Sequence, residues 1–479
     1  MQWAGKSGGI GRGLSFWLIA LLLAAHSFAA DFGVPAQEAA ATEEPSPKQG
    51  AQIKKAPSGV KPQQSPSALP NQGPPANKPI TSTTQPRETP SAAKPEESPK
   101  AEEEKPFADK LTGGWCGQRA KLLEKGIDIE VSLEGAATWN LIGGKHQNGW
   151  PACEYLFDAR MTVKSEPLFH YPGGIFFIDF ESHHGQSPSV RYVGSFVPIV
   201  TIEAPAFVEL YALWYKQVFG KDLFWILVGK SDAYDNFTHT AHSLQFLNNN
   251  YSTLPTILFF PTYPNPAMSV VGSINFPKGI SFTLGLFDGS LANRVKTGKR
   301  GVFGEFFHDL PHHAFLIGEL GFSWTGKYTG RLAFGGWGST ARFRKFGDAT
   351  QRGTSGPYMT IDQIVYKTEK EEVAFVFIGG LANPVVSAIR SAFATGLVWK
   401  GAFAPRPQDT LGIGVSGNFF TDEPAAGFTR RYETYYEVYY QWQVTPWAFL
   451  EPDFQYVVNP GGKGLPNAFV FSLYFNIDF

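Results

Sequence analysis

The chain has 479 residues with 41 basic and 42 acidic side chains, and its formal charge of −1 gives no electrostatic reason to expect a nucleic-acid partner. Its two cysteines exclude a disulfide-stapled scaffold and a multi-cysteine zinc or iron–sulfur protein. Aromatic residues and glycine are abundant, with 41 Phe, 18 Tyr, 12 Trp and 51 Gly, which favours a sheet-rich chain that presents aromatic rings to lipid.

The first 29 residues have the pattern of a secretory signal peptide. Lys6 and Arg12 lie around the start of an apolar run over 14–25, which is shorter than the roughly 20 residues that a spanning helix needs. Small residues at Ser27 and Ala29 predict cleavage after Ala29, and the alternative is a membrane anchor. Since no later segment reaches about 18 uninterrupted apolar residues, a mature chain embedded in a membrane must be a β-barrel.

Residues 30–110 form a separate, proline-rich region. Fifteen prolines lie between Asp31 and Phe107, together with many Ala, Ser, Gln, Lys and Glu residues and no Trp, Tyr or Cys. Such a segment cannot bury enough apolar area to offset its ordering entropy, so we predict a disordered periplasmic linker. It could act as a simple spacer or contact the cell wall or another periplasmic partner, and composition does not decide between these roles.

From residue 127 to the end of the chain, apolar and polar residues alternate with the period of two that is typical of strands. In the last segment, Phe471, Leu473 and Phe475 fall on one face, and Ser472 and Tyr474 fall on the other. A short helix is expected over 115–125. Sixteen strands are expected to follow, with approximate starts at residues 127, 153, 173, 206, 222, 266, 279, 313, 327, 355, 372, 391, 409, 431, 447 and 468.

The connections between these strands alternate between short and long. Short turns are predicted near residues 221, 277, 326, 370 and 446, although the connection around Pro405 is longer than this rule prefers. Long connections are predicted over 185–205, 231–265, 289–312, 339–354 and 458–467. Short periplasmic turns and long outer loops are typical of outer-membrane barrels, and an even strand count places both termini in the periplasm.

The predicted fold is therefore all-β: a 16-stranded antiparallel transmembrane β-barrel over 111–479, with a short N-terminal helix, preceded by the disordered proline-rich segment. Its outer face would contact outer-membrane lipid. The terminal strand ends in Phe479 and resembles the signal that the barrel-assembly machinery reads in bacterial outer-membrane proteins. Deletion of Phe479 is expected to impair assembly, since the last strand must pair with the first.

A barrel of this size leaves a water-filled lumen that its walls alone cannot make selective. The longest loop, 231–265, is the best candidate to fold inward and narrow it. Candidate solute-binding residues are found near that loop and on the adjoining strands: Glu181, Glu209, Lys230, Asp232 and Asp235. Two alternatives stay open: these residues form an ion-pair network that holds the loop down, or the constriction lies in the loop over 185–205.

Five stretches of the chain, taken in order, resemble a known family. They are Gly114–Arg119, Leu213–Gln217, Gly229–Phe237, Gly356–Tyr366 and Pro446–Gly462. In these the chain resembles the carbohydrate-selective porins of the OprB family. The resemblance implies passive, selective diffusion of glucose-like sugars across the outer membrane of a Gram-negative bacterium, without a cofactor. Cys116 departs from the family pattern, which usually has glycine there.

Other functions fit the sequence less well. A general porin, or a porin for another solute, is the first alternative, and a tether that acts through its linker is another. An outer-membrane enzyme is less well supported because the Gly-x-Ser-x-Gly pattern occurs only at Gly5–Gly9, inside the signal peptide. A histidine-rich loop could bind metal but reads more simply as a solvated loop, and it contains His308, Asp309, His312 and His313.

The two cysteines could form a disulfide, because the periplasm is oxidising. Cys153 begins the second strand, whereas Cys116 lies before the first strand at the opposite end of the barrel. Their Cα atoms must approach to within about 7 Å. The bond is therefore expected only if the helix over 115–125 climbs inside the lumen.

Overall fold

The structure, a computed structural model, describes residues 107–300 and 313–479. This part of the chain forms a closed barrel in which each strand pairs antiparallel with its sequence neighbours and β1 pairs with β16. The strands are β1 (Ile127–Ile142), β2 (Ala152–Lys164), β3 (Gly174–Gly185), β4 (Phe207–Phe219), β5 (Phe224–Ser231), β6 (Ala267–Phe276), β7 (Ile280–Asp288), β8 (Ala314–Trp324), β9 (Gly330–Arg344), β10 (Thr350–Lys367), β11 (Glu372–Leu381), β12 (Ile389–Lys400), β13 (Thr410–Phe420), β14 (Tyr432–Thr445), β15 (Ala448–Val458) and β16 (Ala468–Asp478).

The predicted all-β fold and strand count are confirmed, and every strand start except one lies within three residues of its predicted position. The exception is β10, which begins at Thr350 rather than near 355. The long connection predicted over 339–354 is wrong, because β9 and β10 continue outward and only 345–349 connects them. Arg342 pairs with Arg352 in this extension, and Gly353 forms an irregularity with a φ of +76°. Because of the arginine pair and the irregularity, this part of the sequence lacks the apolar–polar alternation by which the other strands were predicted.

The alternation separates a lipid-facing surface from the lumen. On β15, Phe454 and Tyr456 are 44% and 42% exposed, whereas their neighbours Asp453 and Gln455 are 1% and 0% exposed. Aromatic residues outside and polar residues inside are the arrangement that a transmembrane barrel needs. The predicted signal peptide, nearly all of the predicted linker, and the residues 308, 309 and 312 of the histidine-rich loop lie outside the described residues.

A short N-terminal helix lies at the end of the barrel where β1 begins and β16 finishes. A 3₁₀ turn at Trp115–Gly117 leads into the helix Gln118–Glu124, which confirms the predicted helix. Arg119, 3% exposed, donates to the Phe479 backbone oxygen at 2.8 Å, and its guanidinium carbon lies 4.2 Å from the centre of the Trp115 ring. The first and last strands are thereby joined at the terminal end.

A second, five-residue helix at Ser165–Phe169 follows β2. The helices within residues 107–300 and 313–479 are all too short to span a bilayer as one apolar segment.

Long connections emerge from the opposite end of the barrel, among them those between β3 and β4 and between β5 and β6. We call residues 186–206, between β3 and β4, the second loop, and residues 232–266, between β5 and β6, the third loop. Short 3₁₀ turns lie in the third loop at Ala241–Ser243 and Asn249–Tyr251.

The two cysteines are free and exposed, so the structure does not form the disulfide that the sequence permitted. Cys153 is the Cα partner of Ala137, ten residues along β1 from its start at Ile127. At about 3.3 Å per residue this places Cys153 roughly 33 Å along the strand from the end where the helix lies. The contacts of Arg119 keep the helix at that end and do not allow it to climb inside the lumen.

Thiol titration of the folded, unreduced protein in detergent should give two free thiols per chain. The reason is the separation of Cys116 and Cys153, which far exceeds the distance that a disulfide spans. The Cys153→Ser variant should give one thiol and the double Cys116→Ser/Cys153→Ser variant none. A wild-type count of zero before reduction and two after it would contradict the observed geometry.

Candidate functional site

The third loop folds into the barrel and reaches the opposite wall, which confirms the expected inward-folded loop. Along its length it donates hydrogen bonds to β8 and β10 and, on the far side of the lumen, to β13, β14 and β15. These bonds are Thr238 N to Glu319 Oε2 (3.0 Å), His242 N to Asp362 Oδ2 (3.0 Å), Leu247 N to Glu437 Oε1 (2.6 Å), Asn250 Nδ2 to Ser416 Oγ (3.1 Å) and Asn248 Nδ2 to Gln455 Oε1 (3.4 Å).

Carboxylates on the inner wall supply the acceptors that the loop backbone needs. Glu437 accepts from the backbone N–H groups of both Leu247 and Asn248, and Glu319 accepts from Thr238. A buried loop has no helix or sheet to pair its backbone groups, and each unpaired group is destabilising. Each carboxyl group has two oxygens with several acceptor positions, so a few such groups can fix the loop.

Two aromatic rings seat the tip of the third loop against β12, β13 and β14. Phe246 and Tyr251 stack with their ring centres 4.0 Å apart, and Tyr439 meets Phe246 edge-on at 5.0 Å. The rings lie over glycines: a Cβ at Gly414 would lie 2.0 Å from the Tyr251 hydroxyl oxygen, and a Cβ at Gly396 would lie 2.6 Å from the Phe246 ring. Only glycine at these two wall positions leaves room for the loop, and we call them the glycine seat.

The second loop also enters the barrel and meets the same wall. Phe196 N donates to Glu433 Oε1 at 3.0 Å, and Gln455 Nε2 donates to the Ile199 oxygen at 2.7 Å. The two loops touch where Asn249 N donates to the Pro198 oxygen at 3.1 Å. Both loops therefore contribute to the constriction, and the alternative loop considered from the sequence is one of them.

Glu203 organises the second loop from within. Its carboxylate accepts from the hydroxyl of Ser189 at 2.6 Å and from the backbone N–H groups of Ile199 and Val200 at 3.0 and 3.2 Å. Burial raises the pKa of the Glu203 carboxyl above its ordinary value, although the hydrogen bonds from Ser187 and Ser189 act in the opposite direction.

Two of the five predicted site residues lie at the base of the third loop. Lys230 is buried, and its ammonium group donates to the backbone oxygens of Leu210, Gly298 and Arg300 at 2.9, 2.7 and 2.8 Å. The N–H groups of the Lys230 ammonium are therefore directed at the protein's own backbone.

Asp232 is also buried. It accepts from the Tyr211 hydroxyl and from the backbone N–H groups of Tyr234, at 2.8 Å, and Tyr263, at 3.3 Å. Burial raises the pKa of the Asp232 carboxyl, while the hydrogen bond from Tyr211 opposes that rise. These contacts join the two ends of the third loop to β4.

The other three predicted residues are divided between the wall and the loop. Glu181 and Glu209 are Cα partners on β3 and β4, and both are buried. Asp235 is exposed in the third loop. The structure therefore places all five near the root of the third loop, as a carboxylate pair on the wall, two residues at the loop base and one exposed carboxylate.

Polar and aromatic side chains adjoin one another on the inner wall of β2, β3 and β4. Asp158, Asp179 and Glu181 have carboxylate oxygens within 4.8 Å of one another, and Arg160 forms ion pairs with both aspartates. The Arg160 guanidinium supplies one positive charge among the three carboxylates.

Two aromatic rings lie next to this cluster. Phe177, two residues from Asp179 on the same face of β3, stacks on Trp214 of β4 with a ring separation of 4.8 Å. Close by on β4, the ammonium of Lys216 lies 3.9 Å from the centre of the Trp225 ring on β5. We call Arg160, Asp179, Phe177 and Trp214 the polar–aromatic surface.

Comparison with known proteins identifies the family. The profile that matches residues 163–479 describes the carbohydrate-selective porins of the OprB family. The chain belongs to this family. The match includes four of the five stretches that carried the resemblance, and the stretch at Gly114–Arg119 precedes it.

Relatives agree with this assignment. The chain is 22% identical over 414 residues to Porin B of Pseudomonas aeruginosa, which covers 76% of this chain and 89% of that protein. A high-pH structure of Pseudomonas putida OprB superposes with a TM-score of 0.70 at 19% identity and covers 78% of this chain and 98% of the other. A low-pH structure of the same protein gives 0.51 at 18% identity, with the same coverage. The barrel is thus an outer-membrane porin of the OprB family, and family and fold indicate a channel rather than an enzyme.

Several residues that shape this porin's constriction were not identified from the sequence. The period of two places Glu433 and Glu437 on the lumen face of β14, but nothing in that pattern indicates which loops they bind. Phe246, Tyr251 and the glycine seat gave no signal, since aromatic loop residues and strand glycines are common throughout the chain.

The Gly414→Ala variant should displace the third loop while the barrel still forms. The added Cβ would overlap the Tyr251 hydroxyl, and overpacking of this kind costs about 1–3 kcal/mol, which falls on the loop because the wall is held by the strand ladder. We expect higher single-channel conductance and unchanged heat-modifiable migration on gels. Gly272→Ala is the matched control, because its Cβ would meet nothing closer than 3.7 Å. Equal conductance in wild type and Gly414→Ala would show that the seat does not position the loop.

The contacts of His242 that keep the third loop against the inner wall should weaken as the pH rises. His242 Nδ1 lies 2.5 Å from Asp362 Oδ1, and Nε2 lies 3.3 Å from Glu372 Oε1. Burial lowers the pKa of His242, but the hydrogen bonds and charges of the two carboxylates outweigh it and leave the pKa above 6.5. The stabilisation that protonated His242 gives the loop is fully present below pH 6.5, the pKa of this group in the unfolded chain. It is lost as the pH rises through the raised pKa of the folded protein.

Channel recordings between about pH 5 and pH 9 should therefore show more frequent loop-related conductance steps at the alkaline end. His242→Gln should remove most of this pH dependence. The exposed His146 serves as the control, and His146→Gln should behave like wild type. A pH dependence that persists in His242→Gln would assign it to another group.

Proposed function

We propose that this porin allows passive, selective diffusion of sugars across the outer membrane of a Gram-negative bacterium. The observation that carries the proposal is the polar–aromatic surface on the inner wall beside a lumen narrowed by two loops. The family description and the name of Porin B support the same class of protein. The long-loop end would face outward, and both termini would face the periplasm.

The polar–aromatic surface matches the chemistry of a sugar. A pyranose has apolar C–H faces edged by hydroxyl groups, so it can lie on a ring while its hydroxyls bind charged or polar neighbours. Phe177 and Trp214 supply the ring surface, and Arg160 and Asp179 supply a donor and an acceptor. Because Arg160 and Asp179 carry opposite charges, the surface does not favour an ion of either sign. A neutral polyol therefore fits it better than a charged solute does.

The five residues predicted from the sequence divide between two roles under this proposal. The contacts of Asp232 support the alternative in which it holds the third loop down, whereas Lys230 binds β4 and the connection after β7. Glu181, in the carboxylate cluster, and its partner Glu209 would line the approach to the surface. Asp235, which is exposed, remains a candidate for contact with the solute.

The test compares Trp214→Ala with Asp232→Ala in planar bilayers. Loss of the ring should weaken sugar block of the ion current roughly tenfold, about 1.4 kcal/mol, with little change in unitary conductance. Asp232→Ala should instead raise conductance and reduce discrimination among all solutes together, because the loop base is released. Trp442→Ala, which removes a lipid-facing tryptophan of 43% exposure, is the control for the substitution itself.

A liposome-swelling panel of monosaccharides, disaccharides, organic acids and amino acids would identify the solute class. Faster swelling with sugars than with acids of similar size is the expected result. Equal rates across the panel, with no sugar block of the current, would favour a general porin.

The regions before the barrel belong to the same proposal. We propose that residues 1–29 direct export and are removed, and that residues 30–110 form a periplasmic linker. N-terminal sequencing of the mature protein should begin at Ala30. Assembly by the barrel-assembly machinery would follow export.

A further inference from the structure

The lipid-facing surface of β7 to β10 contains a groove where large side chains are missing. Ridges on one side are formed by Leu284 and Leu316, which are 50% and 41% exposed. Residues that line the groove are Leu284, Leu316, Gly318, Gly336, Gly338 and Ser355. Gly336 pairs with Gly318 of β8, and Gly338 pairs with Ser355 of β10, so small residues adjoin one another across three strands.

The packing of the barrel does not require glycine at these positions. A Cβ at Gly336 would meet nothing closer than 3.8 Å, and Cβ atoms at Gly338 and Gly318 would be 3.7 and 3.5 Å from their neighbours. These are ordinary contacts, in contrast to the 2.0 Å overlap at Gly414. The groove therefore leaves space for something outside the chain.

Two arginines lie directly above the groove, towards the long-loop end. Arg342 and Arg352 are Cα partners on β9 and β10, and both are exposed. Arg342 lies four residues from Gly338 on the same face of β9, which is about 13 Å along the strand. Like charges directly opposite on neighbouring strands are destabilising, and an anion held between them removes that repulsion.

We propose that this surface binds a phosphorylated, acylated glycolipid of the outer leaflet, that is, lipopolysaccharide. Its phosphate lies between the guanidinium groups of Arg342 and Arg352, and one of its acyl chains lies in the groove. Two guanidinium groups supply several fixed donors to one phosphate. The leucine ridges provide an apolar wall along which a hydrocarbon chain can lie. The assignment of the leaflet rests on the proposed orientation of the barrel.

A second copy of the chain fits this surface less well. The outward faces of the strands are apolar, as Phe282 and Phe334 show with exposures of 44% and 48%. Burying the two arginines against such a face would remove their hydration without supplying an acceptor, which is strongly unfavourable. A phosphate at the membrane interface supplies the acceptor.

Native mass spectrometry of the full-length mature protein, released from detergent, tests the proposal with deep-rough lipopolysaccharide as the probe. Wild type should retain one lipopolysaccharide per chain in preference to phosphatidylglycerol. Arg342→Gln/Arg352→Gln should lower its occupancy about tenfold, since the charge-assisted contacts are lost. Gly338→Leu should lower it as well, by filling the groove while leaving both arginines in place.

Matched controls are available elsewhere on the barrel. Arg430 is another exposed arginine in a connection at the same end, and Gly272 is a glycine with open space beyond its Cα. Arg430→Gln and Gly272→Leu should retain lipopolysaccharide as wild type does.

Several outcomes would overturn the inference. One is unchanged lipopolysaccharide occupancy in both the arginine and the groove variants. Another is equal retention of phosphatidylglycerol, which would indicate a surface without preference for the outer leaflet. An occupancy that the arginine variant lowers but that Gly338→Leu leaves unchanged would exclude the groove, and a wild-type dimer or trimer lost in Gly338→Leu would assign the surface to a second copy. None of these variants should change sugar block of the ion current. A failure of the proposed sugar transport can therefore be distinguished from a failure of lipopolysaccharide binding.

Discussion

The constriction depends on one requirement: backbone groups that enter the lumen must find hydrogen-bond partners. Two loops leave the rim of this barrel and pack inside it, where neither can use the strand ladder. Glu433 accepts the backbone N–H of Phe196 in the second loop, and Glu437 accepts those of Leu247 and Asn248 in the third. A polar inner wall is therefore a structural necessity for these loops before it is a surface for any solute.

The inner wall divides into two regions with different tasks. On β12 to β14, small residues and carboxylates receive the loops, and the glycine seat allows Phe246 and Tyr251 to lie directly against the wall. On β2 to β5, opposite charges adjoin stacked rings and form a surface suited to a polyol. Under the proposed function the two regions are complementary, because the first positions the loops that narrow the pore and the second supplies groups that can bind a sugar.

Some residues on the lipid-facing surface of the barrel are not of the type that membrane insertion alone requires. Most of its outward positions are large and apolar, which lipid contact requires. The glycines at 318, 336 and 338 depart from that rule without any demand from the barrel's own packing, and an exposed arginine pair lies above them. Departures of this kind are visible only when neighbouring strands are seen in register.

The sequence by itself determined the barrel, because a period of two assigns each residue to the lipid or the lumen without knowledge of its partners. It also located the N-terminal helix and the loop that folds inward, from composition and length. Only the tertiary structure decided what that loop binds. Leu247 and Glu437 are 190 residues apart, and no local pattern relates them.

The absence of long-range contacts from the sequence pattern also explains why two of the predicted site residues bind the protein itself. Lys230 and Asp232 were selected as charged residues near a loop, but burial and the approach of Gly298 and Tyr211 direct their polar atoms into the chain. Alternation gives the face of a residue, whereas closure of the barrel and the path of each loop decide which residues meet across the lumen.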